Sequence, residues 1–387
     1  MTQVLFVYEG VTSTADLMWN FLTGFAEKKN CAVVRRDAGR VTQADMQACD
    51  VLFCSRGESP WMCELLRQAR LAGKFVIFFL DDDLQHLPKN AFRYPRRKKY
   101  LLEGLKYADF FLTSNKLLAE EYLPLISGDR AAVLETAVRE EQIRPRQPKG
   151  EEDTVRIVYA ASRAHVSHWD KYIAPIWPAI TAKYGSRIRM TFVGMKPEMP
   201  AENNGTQVEF VPPMSLAEYR AYMYDGHFDI GLSPLDTDHF SARKYYNKFI
   251  EYAMCGICGL YSDCSPYDLV VRDGENGLLV GNSPEAWQRA LEKSIDHQHL
   301  RESCADNAQQ LLRDAFTADK ICDQLVRDVP ELVTFQAPED KTVAFSGAAK
   351  WKQRIFRLWE SAYLTVTSMR RYGFGKTLER VRNKLKR

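Results

Sequence analysis

The chain has 387 residues, of which 45% are hydrophobic and 27% are charged, and its formal net charge is +3. This composition excludes a disordered chain and is ordinary for a globular protein. The length suggests two domains and an extension. The longest apolar run, FVIFFL at 75–80, is too short to cross a membrane as a helix, so we expect no membrane-spanning segment.

The cysteines and the first residues favour a cytoplasmic protein. QVLFVY at 3–8 reads as a strand, with no basic segment followed by an apolar one, so we expect no secretory signal. The nine cysteines are then expected to be reduced thiols. Cys255 and Cys258 form a C-x-x-C pair, but one pair without histidines is a weak zinc signal. We predict no metal site and no cofactor.

Residues 1–145 alternate apolar runs with amphipathic stretches. The strand-like runs are QVLFVY (3–8), CAVV (31–34), DVLFC (50–54), FVIFFL (75–80), DFFLT (109–113) and AAVL (131–134). Apolar runs separated by helices are typical of a parallel sheet covered on both faces. We therefore predict a Rossmann-like domain over residues 1–145.

Three carboxylates follow the fourth strand-like run. Asp81, Asp82 and Asp83 stand at the carboxyl end of a parallel strand, where ligands bind in such sheets. Clustered carboxylates repel, which can raise one pKa to a value suited to a general base. We predict catalytic roles for them, and a loop that simply tolerates Asp is the alternative. Arg56, after the third run, could face the same place.

The basic segment RYPRRKKY at 93–100 has two open interpretations. It could be a solvated face, or it could contact anionic lipid head groups or a lipid-diphosphate acceptor. Nucleic acid is not expected, because the chain outside its tail is net acidic. The polar stretch at 139–153, which contains Pro and Gly, reads as a linker between domains.

Residues 151–330 repeat the alternating pattern and predict a second Rossmann-like domain. The strand-like runs are VRIVYAAS (155–162), IRMTFVG (188–194), QVEFV (207–211), FDIGL (228–232), GICGLY (256–261) and GLLV (277–280). A helix is predicted between the fourth and fifth runs, from about Ser241 to Cys255. Lys244, Lys248 and Glu251 would share one face of it. Such a face suits a ligand with phosphate and hydroxyl ends, and a solvated face is the alternative.

The order of Phe240, Lys244, Lys248, Glu251 and Tyr252, followed by DGENGLLV at 273–280, resembles the donor-binding half of GT-B glycosyltransferases. The most similar group is glycosyltransferase family 4 and its relatives. The resemblance implies an α/β fold with two Rossmann-like domains facing a cleft. It also implies an acceptor-side first domain, a second domain that binds a nucleotide sugar, and metal-independent hexosyl transfer.

The resemblance also assigns roles to donor-site residues. The helix lysine Lys248 would meet the diphosphate, Glu251 the ribose hydroxyls, and Lys244 a phosphate. Arg163, after the first strand of the second domain, would also hold the diphosphate, since a guanidinium suits phosphate oxygens. A turn at the start of a helix would receive phosphate oxygens on backbone amides; it comprises Ser265, Pro266 and Tyr267.

One departure from the family pattern leaves the stereochemical course open. Retaining members carry a Glu eight residues before the ribose Glu, and this chain has Arg243 there. The nearest acidic residues are Asp236 and Asp238. We take Asp238 as a further catalytic candidate.

The tail, residues 331–387, concentrates the positive charge. From Lys350 to Arg387 there are twelve Lys and Arg against two Glu, so this segment carries +10 and the rest of the chain −7. A helix is predicted, broken near Gly373, with one apolar side formed by Trp351, Ile355, Leu358, Trp359 and Ala362. Basic helices with Trp commonly lie in membrane interfaces. The alternative is a helix that packs on its own protein.

Together these features predict a glycosyltransferase that moves a sugar from a nucleotide-sugar donor to a hydroxyl of a glycan or lipid-linked glycan. The expected setting is bacterial-type surface polysaccharide or cell-envelope glycan synthesis. The protein would be cytoplasmic, with peripheral binding to an anionic inner membrane face through residues 350–387 left open. The alternatives are a nucleotide-sugar epimerase on the same fold and a non-catalytic nucleotide-sugar-binding subunit.

Overall fold

The computed structural model describes residues 1–10, 12–87, 92–146, 154–162, 165–200 and 203–385. The chain divides into two compact units. The first contains Met1–Leu134 and Cys322–Arg387, and the second contains Glu135–Ile321. Each unit is built on one six-stranded sheet.

The sheet of the first unit is parallel throughout. Its strands are β1 (Thr2–Tyr8), β2 (Cys31–Asp37), β3 (Val51–Ser55), β4 (Phe75–Leu80), β5 (Phe110–Thr113) and β6 (Arg130–Val133). They lie in the order β2-β1-β3-β4-β5-β6. β3 and β5 are buried over their whole length, because crossover helices cover both faces. The carboxyl ends of β1, β3 and β4 therefore lie side by side.

In the part of the chain that the structure describes, five helices connect these strands. They are α1 (Ser13–Lys28), α2 (Gln43–Ala48), α3 (Pro60–Leu71), α4 (Arg96–Leu105) and α5 (Lys116–Tyr122). Thr12 and Ser59 begin α1 and α3 by accepting hydrogen bonds from backbone N–H groups of the first turn. Each of these helices starts a few residues after β1 or β3 ends, so both loops turn at the same edge of the sheet.

The second unit repeats the arrangement with a second parallel sheet. Its strands are β7 (Val155–Ala160), β8 (Ile188–Val193), β9 (Gln207–Val211), β10 (Ile230–Ser233), β11 (Cys258–Ser262) and β12 (Leu278–Val280), in the order β12-β11-β10-β7-β8-β9. Its helices are α6 (Val166–His168), α7 (Trp177–Tyr184), α8 (Leu216–Asp225), α9 (Asn247–Met254), α10 (Pro284–Asp296) and α11 (Gln298–Ala315). The core contains three fully buried tryptophans, Trp169, Trp177 and Trp287.

The two parallel sheets confirm the predicted α/β fold, but the helix predicted over 241–255 is interrupted. Its first turn is a separate 3-10 turn, Ser241–Arg243, and α9 begins only after it. Tyr245 and Tyr246 lie between the two. Their hydroxyls both donate to the Glu135 carboxylate, at 2.8 and 2.5 Å. These bonds tie the segment to Glu135, and the backbone at Lys244 is extended, with φ −74° and ψ 161°.

The division between the units falls inside α12 (Ala318–Asp328). Cys322 and Leu325 of α12, and Val329 just after it, pack into the core of the first unit with Phe6 and other apolar residues of that sheet. The chain therefore returns to the first unit at Cys322, before the domain boundary predicted at 330.

The last elements are α13 (Glu331–Thr334) and α14 (Gly347–Leu385), and α14 packs on the first unit through one face. Ala349 and Phe356 are buried, and the side chain of Gln353 accepts a hydrogen bond from the Trp61 amide at 3.0 Å. The backbone is non-helical at Gly373, where φ is 79°, a conformation that glycine adopts readily. The predicted break is therefore present.

The opposite face of α14 is exposed. Trp351, Leu358 and Trp359 are 64%, 72% and 61% exposed. Within the described part of the chain, none of the helices combines the length and apolarity that crossing a bilayer requires.

Candidate active site

The charged face of α9 holds three side chains joined by hydrogen bonds. Lys248 Nζ lies 2.5 Å from Glu251 Oε2 and 3.1 Å from the Tyr219 hydroxyl oxygen. The Tyr219 hydroxyl donates to the same Glu251 oxygen at 2.8 Å. Lys248 and Glu251 meet because they are one helical turn apart, and both remain partly exposed. Such a pair offers a cation to a phosphate oxygen and a carboxylate to hydroxyl groups.

Lys244 lies before α9, at the end of the 3-10 turn, with its Nζ 4.9 Å from the centroid of the Phe240 ring. Its charge nevertheless affects His165, as the charge of Lys248 does. Burial, with the charges of Lys244, His168 and Lys248, lowers the pKa of His165 to about 4. The charges of both lysines therefore act on the partly buried imidazole of His165, although the two lysines are not on one helix.

His165 and His168 form a contact that the sequence did not assign to the site. Their Nδ1 atoms are 3.2 Å apart, and His168 Nε2 lies 3.3 Å from Asp236 Oδ2. Asp236 also accepts hydrogen bonds from Lys171 Nζ at 2.7 Å and from the Tyr172 hydroxyl at 2.6 Å. Burial raises the pKa of Asp236, but these hydrogen bonds outweigh it and lower the pKa overall. The sequence signal that could have identified this contact is the position of the two histidines, three residues apart and shortly after the end of β7.

Asp238 caps the 3-10 turn before α9. Its carboxylate accepts hydrogen bonds from the backbone N–H of Phe240 and Ser241 and from the Ser241 hydroxyl, at 3.0, 3.1 and 2.6 Å. Burial raises the pKa of Asp238, and these hydrogen bonds lower it by more. The structure thus gives Asp238 a capping role, and its catalytic role stays a prediction.

The predicted phosphate-binding turn is a three-residue 3-10 turn, Tyr267–Leu269, and not the start of a longer helix. The Tyr267 amide donates to the Cys264 carbonyl at 2.9 Å, and its hydroxyl lies 2.6 Å from Ser233 Oγ inside the core. The Ser265 hydroxyl donates to the Ala242 carbonyl, which joins this turn to the segment before α9. Pro266 carries no N–H. Phosphate binding by this turn therefore stays a prediction, and Arg163 lies outside the described residues.

In the first unit, Arg56 joins two of the predicted aspartates. Its Nε lies 2.5 Å from Asp81 Oδ1, and its second nitrogen lies 2.9 Å from Asp82 Oδ2. Thr14 donates to the other oxygen of Asp81 at 2.6 Å. Arg56 has a φ of 54°, and strained backbone of this kind clusters at functional sites.

Asp83 differs from its two neighbours because it is fully buried. Its Oδ1 accepts hydrogen bonds from the amides of Gln85 and His86 and from the Tyr122 hydroxyl, at 3.0, 3.1 and 2.7 Å. These hydrogen bonds hold the loop after β4 in its conformation. Among the residues that the structure describes in this unit, Asp83, His86 and Glu121 place ligand atoms within 4.8 Å of one another and could hold a metal ion.

Glu9 and Glu58, which the sequence did not single out, lie beside this loop together with Arg93 and Arg97 of the basic segment 93–100. Glu9 follows β1, Glu58 follows β3, and Arg93 and Arg97 lie near the start of α4. Glu9 Oε2 accepts a hydrogen bond from the Glu58 amide at 2.9 Å. Since ligands bind at the carboxyl ends of parallel strands, the positions of Glu9 and Glu58 were the signal that could have found them.

Comparison with known proteins agrees with the predicted resemblance. Residues 155–297 match the family described as glycosyl transferases group 1. A stretch of 72 residues is 40% identical to an uncharacterized glycosyltransferase of Methanocaldococcus jannaschii. That match spans 18% of this chain and 18% of the relative.

The solved structures that resemble the chain extend the likeness to both units. Anabaena HepE in complex with UDP and glucose has a TM-score of 0.60 at 10% identity, over 86% of this chain and 100% of that one. Sucrose-phosphate synthase from Thermosynechococcus elongatus has a TM-score of 0.59 at 13% identity, over 86% and 99%. A putative UDP-N-acetylglucosamine 2-epimerase from Listeria monocytogenes has a TM-score of 0.51 at 10% identity, over 86% and 96%. The GT-B fold and the resemblance to GT-B glycosyltransferases are confirmed.

Proposed function

We propose that the protein transfers a sugar from a nucleotide-sugar donor to a hydroxyl of a glycan acceptor. One observation supports this proposal more strongly than the others do. Lys248, Glu251 and Tyr219 are locked together and partly exposed, within the segment that matches glycosyl transferases group 1. The bound UDP and glucose of the Anabaena structure make a nucleotide-sugar donor the natural choice for this fold.

In this proposal the second unit binds the donor. Lys248, Lys244 and Arg163 hold the diphosphate, and Glu251 accepts hydrogen bonds from the ribose hydroxyls. The turn formed by Ser265, Pro266 and Tyr267 borders the phosphates. Burial lowers the pKa of His165, and the charges of Lys244 and Lys248 add to that lowering, which supports a shared positive environment around these residues.

The reaction forms one bond and breaks one. The acceptor oxygen bonds to the anomeric carbon, the bond from that carbon to the diphosphate breaks, and the electron pair leaves with the phosphate oxygen. Fixed cations stabilise the charge that develops there. The hydroxyl proton passes to a base, for which Asp81, Asp82, Asp83 and Asp238 are the candidates. We favour Asp81 and Asp82, because both are partly exposed.

The acceptor in this proposal is a surface polysaccharide or cell-envelope glycan, carried on a lipid at the inner face of the plasma membrane. The support is the exposed apolar side of α14, which carries Trp351, Leu358 and Trp359. The +10 charge of residues 350–387 would be attracted to anionic lipid by roughly 1 kcal/mol for each basic residue near the surface. Peripheral membrane binding follows from both features.

Incubation with a panel of nucleotide sugars tests the proposed function. Nucleoside diphosphate should be released with one donor, and faster when membrane extract supplies acceptors. Lys248→Ala should abolish most of this release. Lys183→Ala is the matched control, since Lys183 forms surface ion pairs with Glu292 and Asp296 in the same unit. Donor binding without any turnover would contradict the proposal.

A nucleotide-sugar epimerase is the second candidate, because a putative UDP-N-acetylglucosamine 2-epimerase shares the fold. Epimerisation needs no acceptor. The same incubation without membrane extract separates the two candidates, since an epimerase would form the epimer of one sugar there and a transferase would not.

A further inference from the structure

The loop after β4 and the last turn of α5 bring three side chains with metal-ligand atoms together in the first unit. They are Asp83, His86 and Glu121, and their ligand atoms lie within 4.8 Å of one another. His86 Nδ1 is 3.0 Å from Asp83 Oδ2 and 3.1 Å from Glu121 Oε1. Two of the residues come from the loop and the third from a helix further along the chain, so the fold assembles the cluster.

Both carboxylate oxygens approach the same ring nitrogen. The Nδ1 atom of a histidine carries at most one hydrogen, so it offers a single N–H to two acceptors. Two ligands that are about 2.1 Å from a metal ion and at right angles to each other are about 3.0 Å apart. The observed separations of 3.0 and 3.1 Å are therefore also those of neighbouring ligands around one ion.

The other oxygen of Asp83 orients its carboxylate. The side chain is fully buried, and Oδ1 accepts hydrogen bonds from the amides of Gln85 and His86 and from the Tyr122 hydroxyl. These bonds direct Oδ2 toward His86. Metal ligands in proteins are commonly oriented by hydrogen bonds from outer partners in this way, and buried charges in proteins are paired or coordinate metals.

The three ligand types indicate the kind of ion. One imidazole nitrogen and two carboxylate oxygens suit a divalent transition metal, because imidazole binds Zn²⁺ well and carboxylates suit Mn²⁺. Thiolate-preferring ions such as Cu(I) do not match this set. Two carboxylates carry two negative charges, which one divalent ion neutralises. Three protein ligands leave further coordination positions for water.

We propose that Asp83, His86 and Glu121 bind one divalent transition metal ion, Zn²⁺ or Mn²⁺. The ion joins the loop after β4 to α5. The same loop begins with Asp81 and Asp82, so metal binding restricts the backbone on which these two carboxylates stand. The ion takes no part in the bond changes of sugar transfer, and this inference does not depend on the proposed function.

Calorimetric titration of the chelator-treated, full-length protein with Zn²⁺ and with Mn²⁺ tests the site. At least one of the ions should bind with a stoichiometry of one. His86→Gln and Glu121→Gln should each weaken that binding by about 100-fold or more, because loss of even an outer partner of a ligand costs about 10–100-fold. Melting curves show that the variants are folded, which is expected because both side chains are partly exposed.

Two control variants are matched to these. Glu120→Gln changes the neighbouring carboxylate of α5, which is exposed and lies 3.8 Å from Lys116 Nζ. His299→Gln removes an exposed histidine of α11 in the second unit. Neither should change the affinity for metal. Mn²⁺ also separates this site from binding to cysteines, since thiolates prefer softer ions.

Tyr122→Phe tests the orientation of the Asp83 carboxylate. It removes the hydroxyl that donates to Oδ1 and keeps the ring, which stacks on Phe111. The affinity for metal should fall by about tenfold, as for other outer partners of metal ligands. Wild-type affinity in a folded Tyr122→Phe variant would overturn this orienting role.

Hydrogen exchange measures whether the ion holds the loop. Saturating metal should slow exchange of the Gln85 and His86 amides in the wild type and leave it unchanged in Glu121→Gln. Bound metal without this protection would overturn the joining of the loop to α5. UDP binding by the metal-free protein, measured in parallel, tests the donor site, so the metal site and the proposed function can fail separately.

The metal site itself has a clear contrary result. Binding of neither ion by the wild type would overturn it, and so would equal binding by the wild type, His86→Gln and Glu121→Gln. The three side chains would then form only an ion-paired cluster.

Discussion

At the scale of single residues, Lys248 and Glu251 are expected to affect different parts of the donor. Lys248→Ala should weaken binding of both UDP and inorganic pyrophosphate, since a charged hydrogen bond contributes about 1.5–3 kcal/mol. Glu251→Ala should weaken UDP binding and leave pyrophosphate binding nearly intact, because Glu251 is assigned to the ribose. Calorimetry with both ligands measures this. Equal losses for both ligands in Glu251→Ala would contradict the assignment.

Because the pKa of His165 is lowered, we predict that the free energy of unfolding depends on pH. The folded-state pKa of about 4 lies below the ordinary value, so the unfolded chain binds more protons between the two values. Stability should therefore fall as pH decreases from about 6.5 toward 4, by about 1–2 kcal/mol at pH 5 for this group. His165→Gln should reduce that fall in melting curves at pH 7 and 5. A variant with the same pH slope as the wild type would contradict the prediction.

The three aspartates after β4 should separate into two classes. Asp83→Asn should lower the melting temperature, because Asp83 is buried and accepts three hydrogen bonds, and a disturbed buried partner costs about 1–3 kcal/mol. Asp81→Asn or Asp82→Asn should lower turnover more than UDP affinity. If neither changes turnover, these two residues belong to the fold alone.

At the scale of elements, α14 is expected to have two faces with different effects. Phe356→Ala should destabilise the protein by about 3–5 kcal/mol, because the ring is buried and packs on Tyr94 and Tyr100. Thermal or urea unfolding measures this loss. Truncation after residue 345 is thus expected to cost stability as well as any membrane binding. Unchanged stability after Phe356→Ala would contradict the observed packing.

The exposed face of α14 should bind lipid. Replacing Trp351 and Trp359 by Ala should reduce flotation with phosphatidylglycerol vesicles and leave the melting temperature nearly unchanged. Leu71→Ala is a matched control, since Leu71 is an exposed apolar residue of α3. Salt should weaken the binding, because exposed charges are screened beyond about 8 Å at physiological ionic strength. Flotation that is insensitive to both tryptophans would contradict this role.

Strands could be predicted from the sequence far better than the helix at the centre of the site. All twelve strand-like runs correspond to strands, because buried parallel strands are continuous apolar segments. The interruption before α9 depends on Glu135, which is distant in sequence from Tyr245 and Tyr246. No local pattern records such a contact, so the periodic spacing of Lys244, Lys248 and Glu251 suggested one unbroken helix.

At the scale of the whole molecule, the sequence suggested a donor site within one segment, whereas the cavity at the carboxyl ends of β1 and β3 in the first unit joins distant parts of the chain. The donor segment is continuous in sequence, from Phe240 to Val280. The cavity combines the ends of β1 and β3 with the segment 92–97, and α14 holds that segment in place through Glu360. Only the fold brings these parts together.

The central claim is sugar transfer to a membrane-borne acceptor, and the fate of a labelled sugar tests it most directly. A nucleotide sugar with a radiolabelled sugar moiety would be incubated with the full-length protein and membrane extract, followed by organic extraction. We predict that label enters the lipid fraction with wild type and Lys183→Ala, and not with Lys248→Ala. Label that remains in the nucleotide sugar, or is recovered only as its epimer, would contradict the claim.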